Sequence, residues 1–106
     1  MVLSQHVLNE IVTRVCSVST PDRILLFGSA ATGQMNSDSD VDVLLLTSEP
    51  RPLRQILASV RMALYGLELP IDLVVMRPEQ FELSKDVIGG IAYPAAQTGK
   101  VVYEVA

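Results

Sequence analysis

The sequence predicts a single α/β domain, of the α+β kind, in which helices flank a small mixed β-sheet. Three observations carry that expectation. Three apolar runs, Arg23–Phe27, Asp40–Thr47 and Pro70–Met76, are short enough for buried strands and are bounded by Gly, Pro, Ser or Asp. Stripes at three- and four-residue spacing precede the first run and separate the second from the third, as amphipathic helices require. The chain is 106 residues long, which suits one compact domain spanning residues 1–106.

Each element has its own signal. Residues 2–18 place Leu3, Val7, Leu8, Ile11, Val15 and Val18 on one helical face, and Thr20-Pro21-Asp22 stops that helix. Ile24-Leu25-Leu26-Phe27 follows as a buried strand closed by Gly28. Residues 28–39 hold two glycines, three serines and an asparagine, and read as a loop with room for one helical turn after Ser29. Val43-Leu44-Leu45-Leu46 has no polar alternation, so the second strand should be covered on both faces. Pro50 and Pro52 open a helix striped by Leu53, Ile56, Leu57, Val60 and Leu64, with Gly66 at its end. The third strand runs from Pro70 to Met76, and Pro78 starts a short helical stretch. Residues 88–97 read as a last helix, and Val101-Val102-Tyr103 as an edge strand.

Composition excludes several classes. Hydrophobic residues make up 49% of the chain and charged ones 19%, which rules out intrinsic disorder. So much apolar surface on so small a body implies a partner or a second copy. The net charge of −4 removes the basic footprint of a nucleic-acid binder. A single cysteine, Cys16, forms no internal disulfide and no cysteine-rich zinc site. No apolar run is long enough to span a bilayer. The opening MVLSQHVLNE lacks a basic segment ahead of an apolar core, so a cytoplasmic location is expected.

The topology then makes a spatial prediction. The second and third strands are joined by a helical crossover and should be parallel, so their beginnings share one rim of the sheet. Asp40 and Asp42 begin one strand and Asp72 begins the other. If the first strand is antiparallel to the second, its end at Gly28-Ser29 reaches the same rim. Three carboxylates on an apolar sheet repel one another and resist desolvation unless a cation lies among them. No Lys or Arg lies in either strand near them. Hard oxygen ligands favour Mg²⁺ or Mn²⁺. Gly28 allows close backbone approach, and Ser29 at the start of a helical turn suits phosphate. Metal carboxylates beside a phosphate-binding turn point to phosphoryl or nucleotidyl transfer.

Gly28-Ser29, ten intervening residues, then Asp40-Val41-Asp42 resembles the GS-x10-DxD signature of the DNA polymerase β-like nucleotidyltransferase superfamily. Ile71-Asp72-Leu73 resembles the strand carrying that superfamily's third carboxylate. In size, and in the ending Gly99-Lys100-Val101-Val102-Tyr103-Glu104, the chain is similar to the minimal nucleotidyltransferases, the MNT proteins. The resemblance implies the nucleotidyltransferase (polymerase β-like palm) fold. It implies that Asp40, Asp42 and Asp72 are catalytic and hold two Mg²⁺ ions, with Mn²⁺ a possible substitute. Gly28, Ser29 and Thr32 would contact the phosphates of ATP, and Asp72 would take the acceptor's proton. It further implies AMP transfer to a hydroxyl of a HEPN-family toxin, for which the chain would be the antitoxin. Many members carry arginines after the Gly-Ser pair, where this chain reads Ala30-Ala31-Thr32-Gly33. That departure leaves open a second role, neutralisation of the partner by contact alone.

Of the remaining chemistry-bearing residues, His6 reads as a surface residue, and Cys16, Tyr93 and Tyr103 as packing groups. Arg51, Arg54 and Arg61 could form a positive face, Arg54 and Arg61 being seven residues apart on one helix.

Overall fold

The computed structural model describes residues 4–28, 40–67, 69–90 and 92–105. Within them the order is α1 (Gln5–Val18), β1 (Arg23–Phe27), β2 (Val41–Leu46), α2 (Leu53–Leu64), β3 (Ile71–Met76), α3 (Pro78–Ser84), α4 (Ala92–Thr98) and β4 (Lys100–Glu104). The strands form one mixed sheet in the order β3-β2-β1-β4. β2 and β3 are parallel, while β1 is antiparallel to both β2 and β4. The predicted turn after Ser29 and the first residues of the predicted N-terminal helix lie outside the described residues.

Side-chain alternation along the strands separates two cores. Ile24, Leu26, Val41, Val43, Leu45 and Leu73 point to the face covered by α1 and α2, meeting Leu8, Ile11, Val15, Ile56, Val60 and Leu64. Leu25, Leu44, Leu46 and Met76 point to the opposite face, where Phe81 of α3 and Ala92 and Ala95 of α4 close over them. This explains the unbroken apolar run of β2, whose residues 43–46 are all buried.

Local chemistry fixes the helix ends. The Ser4 hydroxyl accepts a hydrogen bond from the Val7 N–H at 3.2 Å, capping α1. Ser19 ends it, donating through both its N–H and its hydroxyl to the Val15 carbonyl. Arg14 ties α1 to α2 by donating to the Ala63 carbonyl at 2.9 Å. Pro52 precedes the first residue of α2, and Pro78 occupies the first turn of α3. At the C-terminal end of α2 the chain tightens into a single 3-10 turn, Tyr65–Leu67, so Gly66 lies inside that turn.

One expected element is shorter than its sequence suggests. The predicted helix over residues 88–97 begins at Ala92. Gly89 has φ +88°, a left-handed conformation incompatible with a right-handed helix, and Ile88 is exposed. The Gly89-Gly90 pair makes a turn, leaving α4 two turns long.

Arg77, just past β3, braces the far end of the sheet. Its guanidinium donates to the carbonyls of Thr47 (3.0 Å), Glu49 and Arg51 (2.8 Å). These carbonyls belong to the segment between β2 and α2, so one side chain locks the crossover to the strand it leads to. Replacing Arg77 with Ala should lower stability by about 2 kcal/mol in urea unfolding, because three partly buried acceptors lose a charged donor. Arg77→Lys should recover little of it, since an ammonium cannot reproduce the planar fork.

Candidate functional site

The parallel register of β2 and β3 pairs Asp42 directly with Asp72. On its other side β1 pairs Phe27 with Asp42. Phe27, Asp42 and Asp72 therefore form a cross-strand row on the face that carries Leu44, Leu46, Val74 and Met76. Adjacent strands are about 4.8 Å apart, so the two carboxylates are near neighbours. Asp40 lies one residue before β2 and is exposed. The rim is held in register where the Val41 N–H donates to the Pro70 carbonyl at 2.8 Å. The sheet thus brings Asp40, Asp42 and Asp72 to one rim, as the topology predicts.

Asp42 is the electrostatic centre of this rim. Burial pushes its carboxyl above the usual carboxylate range, and the charges of Asp72 and Asp40 push it further the same way. Among the described residues the ion pairs are Arg14–Glu10, Arg23–Glu82, Arg51–Glu49 and Lys85–Glu82, and none involves these three aspartates.

Gly28 completes the rim at the end of β1. Its φ is +64°, and a β-carbon built there would lie 2.5 Å from Oδ2 of Asp42. Glycine is required twice over, for the left-handed backbone and for the space the carboxylate occupies. Ser29 and Thr32, the other two predicted phosphate contacts, lie outside the described residues.

A hard divalent cation fits this donor set. Among the described residues no three His, Cys, Asp or Glu side chains are close enough to cage a metal ion unaided. Mg²⁺ does not need such a cage, because it is commonly bound through one or two carboxylates while water and substrate phosphates complete its octahedron. Asp42 and Asp72, side by side with unrelieved repulsion, meet that requirement.

Other candidates resolve as packing or surface groups. His6 is exposed, and Cys16, Tyr93 and Tyr103 are half-buried. Arg51 does not join a positive face with Arg54 and Arg61: it is bound to Glu49 and to the Val18 carbonyl at 2.8 Å, at the opposite rim of the sheet. Sequence reasoning missed one feature beside the site. A cavity of about 430 Å³ lies along β3, lined by Arg61, Leu64, Tyr65, Leu69, Ile71 and Leu73. Tyr65, which lines it, is 88% exposed.

Comparison with known proteins gives the family and the fold. A family model described as a nucleotidyltransferase domain matches residues 8–92. Among curated proteins, none matches the chain in sequence. Several solved structures share the fold. One is a toxin–antitoxin crystallised with AMP-PNP, 20% identical, with a TM-score of 0.69 over 92% of this chain and 73% of that one. A second is a mutant of the toxin–antitoxin MntA–HpeT, 18% identical, with a TM-score of 0.67 over the same shares. A third is a tri-AMPylated Shewanella oneidensis HEPN toxin in complex with MNT antitoxin, 19% identical, with a TM-score of 0.63 over 97% of this chain and 74% of that one. Among the described residues no helix is long and apolar enough to cross a membrane.

Two measurements check the rim. Gly28→Ala should destabilise the fold by about 1–3 kcal/mol, the usual cost of forcing an alanine into a left-handed position, and should displace the Asp42 carboxylate. The second concerns pH. A carboxyl whose folded pKa is raised lets the native state hold a proton that the unfolded state releases. Stability then falls as pH rises from the unfolded pKa through the folded one, and stays lower above it. Asp42→Asn should therefore melt at a higher temperature than the parent at pH 7, with the gap closing as the pH approaches 4. A gap independent of pH would contradict the assigned repulsion.

Proposed function

This chain belongs to the nucleotidyltransferase domain family, and we propose that it transfers AMP from ATP to a hydroxyl group of a partner protein. The observation that carries this reading is the pairing of Asp42 with Asp72 beside Gly28, an acidic rim with no cation of its own among the described residues. Asp40, Asp42 and Asp72 are the residues that would hold Mg²⁺, or Mn²⁺ in its place. A cation held there would supply neutralisation of the charge that develops on the phosphates.

The chain's own groups have distinct tasks. Gly28 keeps the end of β1 clear for Asp42, and Gly28, Ser29 and Thr32 are the residues that would contact the β- and γ-phosphates. Asp72, on the outermost strand, is the carboxylate that an incoming hydroxyl meets first. The acceptor oxygen bonds to the α-phosphorus of ATP, the bond from that phosphorus to the bridging oxygen breaks, and pyrophosphate leaves. The hydroxyl proton passes to Asp72.

The partner is a HEPN-family toxin, with this chain as its antitoxin. Support comes from the shared fold with chains of toxin–antitoxin complexes, one of them containing AMP-PNP and another an AMPylated HEPN toxin. The sequence Ala30-Ala31-Thr32-Gly33, without arginine, favours a second reading in which the chain neutralises the toxin by contact and transfers slowly or not at all.

One experiment separates the two. The chain is incubated with Mg²⁺, ATP labelled at the α-phosphate and a co-expressed HEPN toxin. Label should appear on the toxin, and Asp72→Asn should lower kcat by about 10²–10⁴-fold, the range of a general base, with little change in KM for ATP. Neutralisation without label, unaffected by Asp72→Asn, would overturn transfer in favour of contact alone.

A further inference from the structure

The two edges of the sheet are not alike. β4 is guarded: it begins with exposed Lys100, ends with exposed Glu104, and its pairing with β1 is broken by a register shift at Ile24/Leu25. Charges and bulges are common defences against unwanted strand pairing. β3 has no bulge, and its one charge, Asp72, belongs to the acidic rim. Its sequence is Ile71-Asp72-Leu73-Val74-Val75-Met76, and its pairing with β2 is regular over all six residues.

The hydrogen-bond phase shows which groups β3 offers. Val41 and Thr47 of the β2 segment donate to the carbonyls of Pro70 and Met76. Even-numbered residues of β3 therefore face β2, and the N–H and C=O groups of Ile71, Leu73 and Val75 face outward. Among the described residues these outward groups have no hydrogen-bond partner.

The cavity lies along this same edge. Ile71 and Leu73, which line it, point to the α2 face, whereas Asp72 between them belongs to the opposite face. A strand added beside β3 would send alternate side chains to the two faces. One would enter the cavity, near Tyr65 and Arg61. Its immediate neighbour would extend the row Phe27, Asp42, Asp72 by one position, about 4.8 Å from Asp72.

We propose that the acceptor protein docks as an extended segment on the open edge of β3, with a large apolar side chain in the cavity and the acceptor hydroxyl on the next residue, beside Asp72. This rests on the transfer reading and adds to it the form of the substrate. Main-chain bonds to Ile71, Leu73 and Val75 supply affinity, and the cavity supplies selection. The occupant is a partner segment because the edge and its cavity run directly into the acidic rim, where a hydroxyl has a use. The acceptor sequence then carries a hydroxyl residue next to a bulky apolar one.

The test uses the full isotope-labelled chain and a synthetic peptide of about nine alternating threonines and valines with a central phenylalanine–tyrosine pair. Amide exchange at Ile71, Leu73 and Val75 should slow on addition of peptide. Val75→Pro removes an outward N–H, a change edge strands tolerate, and should weaken binding by about tenfold or more. Tyr65→Ala, on the surface and outside the strand, should weaken the same peptide but not one with alanine in place of phenylalanine. Protection elsewhere, or equal binding by both variants, would overturn the proposal. So would protection of these amides in the free chain together with a dimeric mass, which would assign the edge to a second copy. Labelling of the HEPN toxin by Val75→Pro at the parental rate would sink the docking mode while leaving transfer standing. Protected amides without label on any acceptor would sink transfer alone.

Discussion

The parallel pairing of β2 with β3 is the constraint from which the rest follows. Parallel neighbours start at the same rim, so aspartates thirty residues apart, Asp42 and Asp72, become partners in one register. The crossover that makes this possible must pass over one face, and α2 does so, burying Ile56, Val60 and Leu64 against β2 and β3. Among the described residues the other face receives the short α3 and α4, which pack on the strands through Phe81, Ala92 and Ala95. Carboxylates are thus carried on the same face as a packed apolar row, at the end where that row gives out. The arrangement carries electrostatic repulsion by design of the topology, and a bound cation is the simplest relief.

Much of this was legible in the chain itself. The strand starts put Asp40, Asp42 and Asp72 at one rim, and Pro52 ahead of α2 and Pro78 at the start of α3 marked both helix starts. The parallel crossover required only a helix-length stripe between two apolar runs. Gly28 was readable as a site of close approach, yet the identity of the approaching atom, Oδ2 of Asp42, depends on β1–β2 register, which no local pattern encodes.

What escaped was information held by distant partners. Arg51 looked like one of three surface arginines, but its carboxylate neighbour Glu49 and the Val18 carbonyl draw it to the wrong rim for phosphate. Residues 88–91 have the apolar character of a helix start, and two glycines outweigh it, because backbone freedom costs a helix about 1 kcal/mol per glycine. The cavity beside β3 is lined by the end of α2, the turn after it and the strand it leads into, so it belongs to no single segment. Its lining joins Arg61, Leu64 and Tyr65, at three- and four-residue spacing near the end of α2, to Ile71 and Leu73 of β3, so each half is periodic but their meeting is set only by the fold.

The join between α4 and β4 sets a limit on how this domain can vary. At Gly99 an added β-carbon would lie 1.9 Å from the Ala95 carbonyl oxygen, and the Gly99 N–H donates to that same oxygen at 2.8 Å. Helix and strand are therefore fused with no slack, and β4 cannot be lengthened or re-phased at its start without unseating α4 from Leu25 and Leu44. Natural or engineered insertions in the C-terminal third are better accommodated ahead of α4, at the solvent-facing Gly89, where a β-carbon would meet nothing within 4 Å among the described residues. The α4–β4 join is in this sense a fixed-length unit, and size differences among related domains should accumulate upstream of it.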